Sequence, residues 1–205
     1  MKNKLIFLII GSFFFYNIAN SNTFKFDTKK IEIFKDQNKI IAGKGKAYTD
    51  NKNLEIYADN FEYLKDLDIL KSNGNGLAIL NSKNIEIEFD SAIFDQSKST
   101  IEAFGNVLVK DMNKNIIIET DKVIYNQKKN LITSDNKTIL KDNFQNLYLV
   151  DSFEFEIDKD ILKVTNLIFN DKEDNTVRTN LAYINTASGK LFGKDVNVDL
   201  NNSAF

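Results

Sequence analysis

The sequence contains no cysteine, histidine, proline or tryptophan among its 205 residues. Without cysteine the chain can form neither a disulfide bond nor a thiolate nucleophile. Without histidine it lacks the usual imidazole general base and the commonest zinc ligand, and a Ser-His-Asp triad is excluded. We therefore expect no enzymatic activity, no catalytic residue, no metal site and no cofactor.

The chain also has no large excess of either charge, because it contains 27 basic and 29 acidic residues. Arg178 is the only arginine. A nucleic-acid-binding domain usually carries a concentrated basic face, so we expect no nucleic-acid partner. Hydrophobic residues make up 42% of the chain and charged residues 27%, a composition typical of a folded domain rather than a disordered one.

The first residues have the three-part pattern of a secretory signal peptide. Two lysines precede an apolar run of 12 residues, Leu5–Tyr16, and a short polar stretch follows it. The run is shorter than the roughly 18 residues expected of a membrane-spanning helix. Ala19 and Ser21 occupy the −3 and −1 positions of a signal-peptidase site, which predicts export of the chain and cleavage between Ser21 and Asn22, the alternative being retention of the segment as a membrane anchor.

The remainder of the sequence repeats with a period of about 31 residues. The segments Ile56–Tyr63, Ile87–Phe94, Ile118–Tyr125 and Tyr148–Phe155 share one template, in which an aspartate lies between apolar positions and an aromatic residue ends the segment. A weaker fifth copy is Val177–Ile184. The aspartates follow one another at intervals of 31, 31 and 30 residues: Asp59, Asp90, Asp121 and Asp151.

A second template lies between these copies and has a glycine or asparagine followed by alternating apolar residues. Its clearest copies are Ala42–Tyr48, Ser72–Leu80, Ile101–Val109 and Ile132–Leu140. Alternation with period two predicts β-strands. The stretches between the templates are rich in Asn, Asp, Gly and Ser, which are favoured in turns. Each repeat therefore contributes two strand-like segments and their turns.

The apolar alternation slips by one residue at the repeated aspartate. Ile87 and Phe89 lie at odd offsets before Asp90, whereas Ala92 and Phe94 lie at even offsets after it. A slip of one residue is typical of a β-bulge or a sharp strand bend. The pattern thus predicts an all-β antiparallel array of stacked hairpins, sandwich-like or jelly-roll-like. The lone aspartates are interpreted as bend residues rather than Ca²⁺ ligands, which come in close oxygen clusters.

The alternation of Ala103–Val107 with Ala58–Tyr63 resembles the OstA-like (organic solvent tolerance) domain of the lipopolysaccharide-transport family. Its members include LptA-type periplasmic bridge proteins and the N-terminal periplasmic domain of LptD-type assembly proteins. The resemblance covers residues 30–200 and is weaker in the fourth and fifth repeats, where Asn136 and Thr165 occupy the glycine position. The segment Ala182–Phe205 resembles the stretch leading into the barrel of the assembly protein, so both family types stay open.

The resemblance implies an open, V-shaped, twisted antiparallel β-jelly roll located in the periplasm and associated with the outer membrane. It implies a lipopolysaccharide-binding and transport module that shields acyl chains in an apolar groove and bridges to the outer-membrane assembly machinery. The implied partners are lipopolysaccharide, other jelly-roll transport proteins joined by edge-strand addition in homo- or hetero-oligomers, and the outer-membrane assembly complex.

The sequence divides into a signal peptide (1–21), a short lead (22–29), the repeat domain (30–200) and a tail (201–205). Within the domain, the strand register predicts which apolar residues face inward and would line a lipid groove. They are Ile56, Ala58, Phe61, Tyr63, Ile87, Phe89, Phe94, Ile101, Ala103, Val107, Val109, Ile118, Val123, Tyr125, Ile132, Leu140, Val150, Phe153 and Phe155.

Two other kinds of protein remain possible from the sequence alone. A small outer-membrane β-barrel also alternates apolar and polar residues, although many strand-like segments here are shorter than the roughly 9–11 residues of a spanning strand. The apolar parity also breaks between Leu200 and Phe205. A structural β-solenoid or adhesin is the second alternative, although the turns of such proteins are usually shorter and more regular than a unit of 31 residues.

Overall fold

The computed structural model describes residues 24–144 and 146–201. The predicted signal peptide (1–21), the proposed junction between Ser21 and Asn22, and the tail beyond Asn201 lie outside these residues. No helix in the described part of the chain is long and apolar enough to cross a membrane.

The described residues form eighteen strands that are hydrogen-bonded into one sheet. The strands are β1 (Lys25–Thr28), β2 (Ile31–Phe34), β3 (Lys39–Ala42), β4 (Gly45–Tyr48), β5 (Leu54–Ala58), β6 (Asn60–Leu64), β7 (Ile69–Leu80), β8 (Ile85–Asp95), β9 (Thr100–Asp111), β10 (Ile116–Asn126), β11 (Leu131–Ser134), β12 (Thr138–Lys141), β13 (Leu147–Val150), β14 (Ser152–Glu156), β15 (Ile161–Asn170), β16 (Thr176–Asn185), β17 (Lys190–Lys194) and β18 (Asn197–Asp199).

The sheet bends over on itself into two halves that share the long strands. The front half-sheet has the order β1-β4-β5-β7-β8-β9-β10-β12-β13-β15-β16-β18. The back half-sheet has the order β2-β3-β6-β7-β8-β9-β10-β11-β14-β15-β16-β17. Every neighbouring pair is antiparallel, which confirms the all-β jelly roll predicted from the sequence.

The bends lie where the apolar alternation slips. Between β8 and β9 the register shifts from Glu88 to Ser91, on either side of Asp90. Between β9 and β10 it shifts again from Thr120 to Lys122. The bulge predicted from the repeated aspartate is therefore confirmed, because an inserted residue exchanges the faces to which the following side chains point.

A short polar motif stabilises each regular bend. Asn106 Nδ2 donates a hydrogen bond to Asp90 Oδ2 over 2.8 Å, and Asn75 makes the same bond to Asp59 over 2.6 Å. Asn106 has a φ of 46° and Gly105 a φ of +72°, so consecutive residues adopt left-handed conformations. Asparagine tolerates this conformation better than most residues, and the aspartate fixes its side chain.

Replacing Asn106 with alanine is expected to lower the free energy of unfolding by about 1–2 kcal/mol, because alanine must still adopt the left-handed conformation. Asn106→Gly removes the same hydrogen bond to Asp90 without that conformational cost, so its loss should be smaller. Urea denaturation of the two variants measures the difference. Equal stability of the alanine and glycine variants would contradict this account of the bend.

Backbone hydrogen bonds also join successive turns on the back half-sheet. The Gln96 amide donates to the Asp68 carbonyl over 3.1 Å, and the Gln127 amide donates to the Ser99 carbonyl over 2.9 Å. Each repeat adds one turn to this edge of the back half-sheet, which we call the back rim. Residues with positive φ therefore recur there at intervals of 30 or 31 residues: Asn38, Asp68, Ser99, Asn130 and Asp160. The sequence period of about 31 residues thus corresponds to one hairpin unit of the roll.

The core lies between the two half-sheets and is one continuous cluster. Phe24, just before β1, packs edge-on against Tyr63 of the back half-sheet, with ring centroids 5.6 Å apart. Phe26 of β1 packs similarly against Phe61 over 5.9 Å. Aromatic pairs of this geometry add to the free energy gained from burial alone. The roll is therefore held closed by apolar side chains that both half-sheets contribute.

Candidate functional site

Every residue of the predicted inward set is buried between the half-sheets, with at most 5% of its surface exposed. The structure thus brings together all the residues that the register selected. Sequence reasoning missed other members of the same cluster, although many of them continue the same alternation in the less regular copies. Those missed include Phe24, Leu70, Tyr148, Leu162, Val164, Ala182 and Ile184.

Charged groups in this interior are confined to its margin. Among the described residues, the buried charged side chains are Asp95 and Asp111, at the ends of β8 and β9. Asp95 Oδ1 accepts hydrogen bonds from Ser97 Oγ at 2.6 Å and from the Lys98 amide at 3.0 Å. The bonds from Ser97 and Lys98 lower the pKa of Asp95 to about 2. These carboxylates cap turns, so the buried charges among the described residues stay at the margin, and the interior is apolar except for hydroxyl side chains such as Ser72 and Thr138.

A cavity of about 530 Å³ opens between the turns of the two half-sheets, along the line that we call the seam. Its floor is formed by buried apolar and aromatic side chains, and its rim by polar turn residues around 49–53 and 82–83 on the front and 95–100 and 127–130 on the back. The volume lies within the range of roughly 300–1,000 Å³ typical of ligand sites. The floor residues are Phe24, Leu54, Leu80, Phe94 and Tyr125.

Gln96 gives the cavity wall unused hydrogen-bonding capacity. Its side-chain nitrogen and oxygen are both inaccessible to solvent and have no hydrogen-bond partner among the described residues. The backbone of Gln96 is held by the Asp68 carbonyl and the Ser99 amide. A buried amide without a partner is unfavourable, so a bound group that donates or accepts a hydrogen bond here would be favoured.

One side of the cavity ends at a chain of hydrogen bonds. Tyr125 Oη donates to Asn130 Oδ1 over 3.2 Å, and Asn130 Nδ2 donates to Asp158 Oδ2 over 2.5 Å. Lys83 Nζ, from the opposite half-sheet, lies 3.0 Å from Asp158 Oδ1. Burial, followed by the nearby Asp158 charge, raises the pKa of Tyr125 to about 12, so the phenol remains a donor at neutral pH.

A second contact crosses the seam next to the first. Lys114 Nζ lies 2.7 Å from Asp160 Oδ1, donates to the Ile157 carbonyl, and sits 5.2 Å from the centre of the Phe155 ring. We call Lys83–Asp158 and Lys114–Asp160 the rim ion pairs. They join two turns of the front half-sheet, whose row of turns we call the front rim, to the turn of the back rim that precedes β15. The hydrogen bond from Lys83 lowers the pKa of Asp158.

Both ends of the roll expose apolar side chains on the inner face. Ile31 and Ile33 of β2 are 44% and 58% exposed, although their partners on β3 point into the core. At the other end, Val198 and Leu200 are 52% and 68% exposed. The apolar band therefore continues to the first and last strands, where no further strand of the described chain covers it.

The repeated aspartates stay apart at the bends. Asp59 accepts a hydrogen bond from Asn75 and lies 2.9 Å from Lys44 Nζ. Residues 24–144 and 146–201 hold no group of three or more side chains suited to binding a metal ion. The chemistry available at the site is consequently burial of apolar groups, together with hydrogen bonding and ion pairing along the seam.

Comparisons with known proteins agree with this architecture. A family model described as OstA-like protein matches residues 64–205. Among solved structures, the chain is similar to LptH of Pseudomonas aeruginosa, described as the LptA homologous periplasmic component of the conserved lipopolysaccharide transport device. The TM-score is 0.53 at 12% identity, and the match covers 58% of this chain and 96% of that chain.

No curated protein matches the sequence. The likeness to LptH concerns the fold, since the identity is low, whereas the family match extends over more than half of the chain. Together with the alternating templates and the bent antiparallel sheet, the family match identifies the family of this chain. The chain belongs to the family of OstA-like proteins.

Proposed function

We propose that the protein is a periplasmic module that binds and transports lipopolysaccharide. The observation that carries the proposal is the continuous apolar band between the half-sheets, which reaches open space at the seam cavity and at both ends of the roll. Membership of the OstA-like family and the fold shared with the periplasmic transport component LptH support it. The proposed role requires binding without catalysis.

Burial of acyl chains supplies the free energy in this proposal, at about 0.8 kcal/mol for each methylene removed from water. Most of the interior is already packed, so a chain is expected to enter where apolar surface meets open volume. Phe94 and Tyr125, both members of the predicted inward set, line the cavity floor, where the packed interior meets this open volume. The polar headgroup would stay among the polar turn residues of the rim.

The end strands support assembly with other jelly-roll proteins by strand addition, with a second copy or a related partner. Because neighbours alternate in direction throughout, the first and last strands of each half-sheet run in opposite directions. The last strand of one copy and the first strand of the next would therefore pair antiparallel in both half-sheets. Glu32 on β2 and Lys190 and Lys194 on β17 lie on the outer face of the two end strands. Because their charges are opposite in sign, they would favour this pairing.

The proposal also includes placement in the periplasm, contact with the outer-membrane assembly complex and the domain division. The signal peptide (1–21) would direct export. The first strand begins at Lys25, inside the lead segment 22–29, and the last strand ends at Asp199. The lead thus contributes a strand to the front half-sheet beside the repeat domain (30–200).

Photo-crosslinking to lipopolysaccharide tests the function. A photoreactive residue at Phe89 or Val123, both buried and facing inward, is expected to crosslink to lipopolysaccharide without detergent present. Glu88 is the matched control, because it neighbours Phe89 on the same strand and points outward. A folded, soluble protein without crosslinks at any of the three positions would contradict lipopolysaccharide binding and indicate a purely structural β-domain.

A further inference from the structure

The seam is closed differently along its length. On one side of the rim ion pairs lies the cavity of about 530 Å³, and on the other a space of only about 10 Å³ separates the half-sheets. The small space is lined by Leu140 and Tyr148 from the front and by Leu162 and Ile184 from the back. Lys83 lines the large cavity and also forms one of the ion pairs. The ion pairs therefore mark the boundary between open and closed seam.

At the rims, the polar contacts across the seam are weaker than the backbone hydrogen bonds that run along each rim. The side chains of Lys83 and Asp158 are 32% and 59% exposed, and those of Lys114 and Asp160 are 24% and 34% exposed. Ion pairs of this exposure contribute little net stability and are screened by salt. Along the back rim, in contrast, backbone hydrogen bonds connect each turn to the next. Separation of the rims should therefore precede disruption of either one.

The surface beneath the ion pairs is suited to an acyl chain. Phe155 lies under Lys114, and the apolar residues around the small space continue the floor of the large cavity toward the last strands. A chain could bury additional methylenes there only after the rims separate. Burial of about one or two methylenes is comparable in free energy to a half-exposed ion pair, so the ligand itself can favour the open state.

We propose that the rim ion pairs are a reversible lateral closure of the groove. In the closed state they confine an acyl chain to the large cavity. When Lys83 and Lys114 separate from Asp158 and Asp160, the chain passes under the seam toward the C-terminal strands while its headgroup remains outside. This inference rests on the proposed lipopolysaccharide-binding function, of which it specifies the regulation.

Cross-linking across the seam tests the closure, and the absence of native cysteine makes it selective. The pair K83C/D158C, joined by a short bismaleimide, would hold the rims together. The matched control N84C/N113C joins two turns of the front rim, where the side-chain amides are 3.0 Å apart. Lipopolysaccharide contact is then measured in the full exported chain with a photoreactive aromatic residue at Phe94, in the large cavity, or at Tyr148, beyond the ion pairs.

The cross-seam link is expected to preserve labelling at Phe94 and to lower labelling at Tyr148 at least tenfold, whereas the same-rim link should change neither. Equal labelling of Tyr148 with both links would overturn the lateral closure. Absence of labelling at both positions in the protein without any link would instead contradict lipopolysaccharide binding itself. The two failures are therefore distinguishable.

Removing the charges provides a second measurement. Lys83→Gln with Lys114→Gln is expected to speed labelling at Tyr148 by up to about tenfold, since two weak ion pairs are lost. The charge exchange K83D/D158K, with Lys114 retained, should restore the slow rate. If the exchanged protein labels as fast as the double glutamine variant, ion pairing does not hold the seam. Far-ultraviolet circular dichroism checks that each variant is folded.

Discussion

Gly76→Ala is expected to lower the free energy of unfolding by about 1–3 kcal/mol or more, an unusually large effect for one added methyl group. A Cβ atom at Gly76 would lie only 2.0 Å from Cε2 of Phe89, its partner across β7 and β8. Phe89 is 4% exposed and packs against Phe94 with ring centroids 6.2 Å apart. The ring therefore cannot move aside without disturbing the closely packed interior.

Urea denaturation with a double-mutant cycle measures this steric conflict. Phe89→Ala removes the ring, so Gly76→Ala should cost much less in that background, and the two changes should be strongly coupled. Gly43→Ala is the matched control, because the nearest atom to its added Cβ would be Lys30 Cβ at 3.7 Å, an ordinary contact. Equal losses at positions 76 and 43 would show that the ring is not the cause.

The close contact at Gly76 also explains why the second sequence template contains glycine. The template occupies strand segments just beyond a bend, where the opposite strand contributes a large inward residue. Gly76 leaves room for Phe89, whereas Gly105 provides a positive φ beside Asp90. Glycine thus occurs in the template for two different structural reasons, which the sequence pattern alone does not distinguish.

The fold was largely predictable because its information is local. Alternation with period two identifies the strands, and the slip at Asp90 locates a bend without any knowledge of the partner strand. Repetition then supplies the stacking order, since each hairpin buries its apolar face only against the next one. These features depend on residues within about 31 positions of one another, and the predicted inward set is accordingly buried throughout.

The seam was not predictable, because it depends on residues far apart in the chain. Lys83 and Asp158 are separated by 75 positions and lie in polar turns, which have no apolar periodicity to specify their partners. The cavity likewise arises from turns of both half-sheets. Phe24 was missed for a different reason: it precedes the recognised repeats, although its spacing from Phe26 already continues the alternation.

Phe94→Ala is expected to cause a second large effect, a loss of about 3–5 kcal/mol in the free energy of unfolding. Phe94 is 1% exposed and contacts the rings of Phe24 and Phe89. Truncation removes apolar contacts and leaves a void that the two rigid half-sheets cannot easily fill. Phe192→Ala is the matched control, because Phe192 is 64% exposed and its truncation should change stability by no more than about 0.5 kcal/mol.

Phe94 also lines the seam cavity, so the same variants separate packing from ligand contact. A ligand that binds only the folded protein raises its stability in proportion to the logarithm of ligand concentration over Kd. Excess lipopolysaccharide should therefore raise the Tm of the unmodified protein and of Phe192→Ala, but raise that of Phe94→Ala less, because the apolar floor of the cavity has been removed. An equal rise in all three proteins would place the bound acyl chain elsewhere in the roll, while the loss of stability in Phe94→Ala without ligand would still stand as a packing effect.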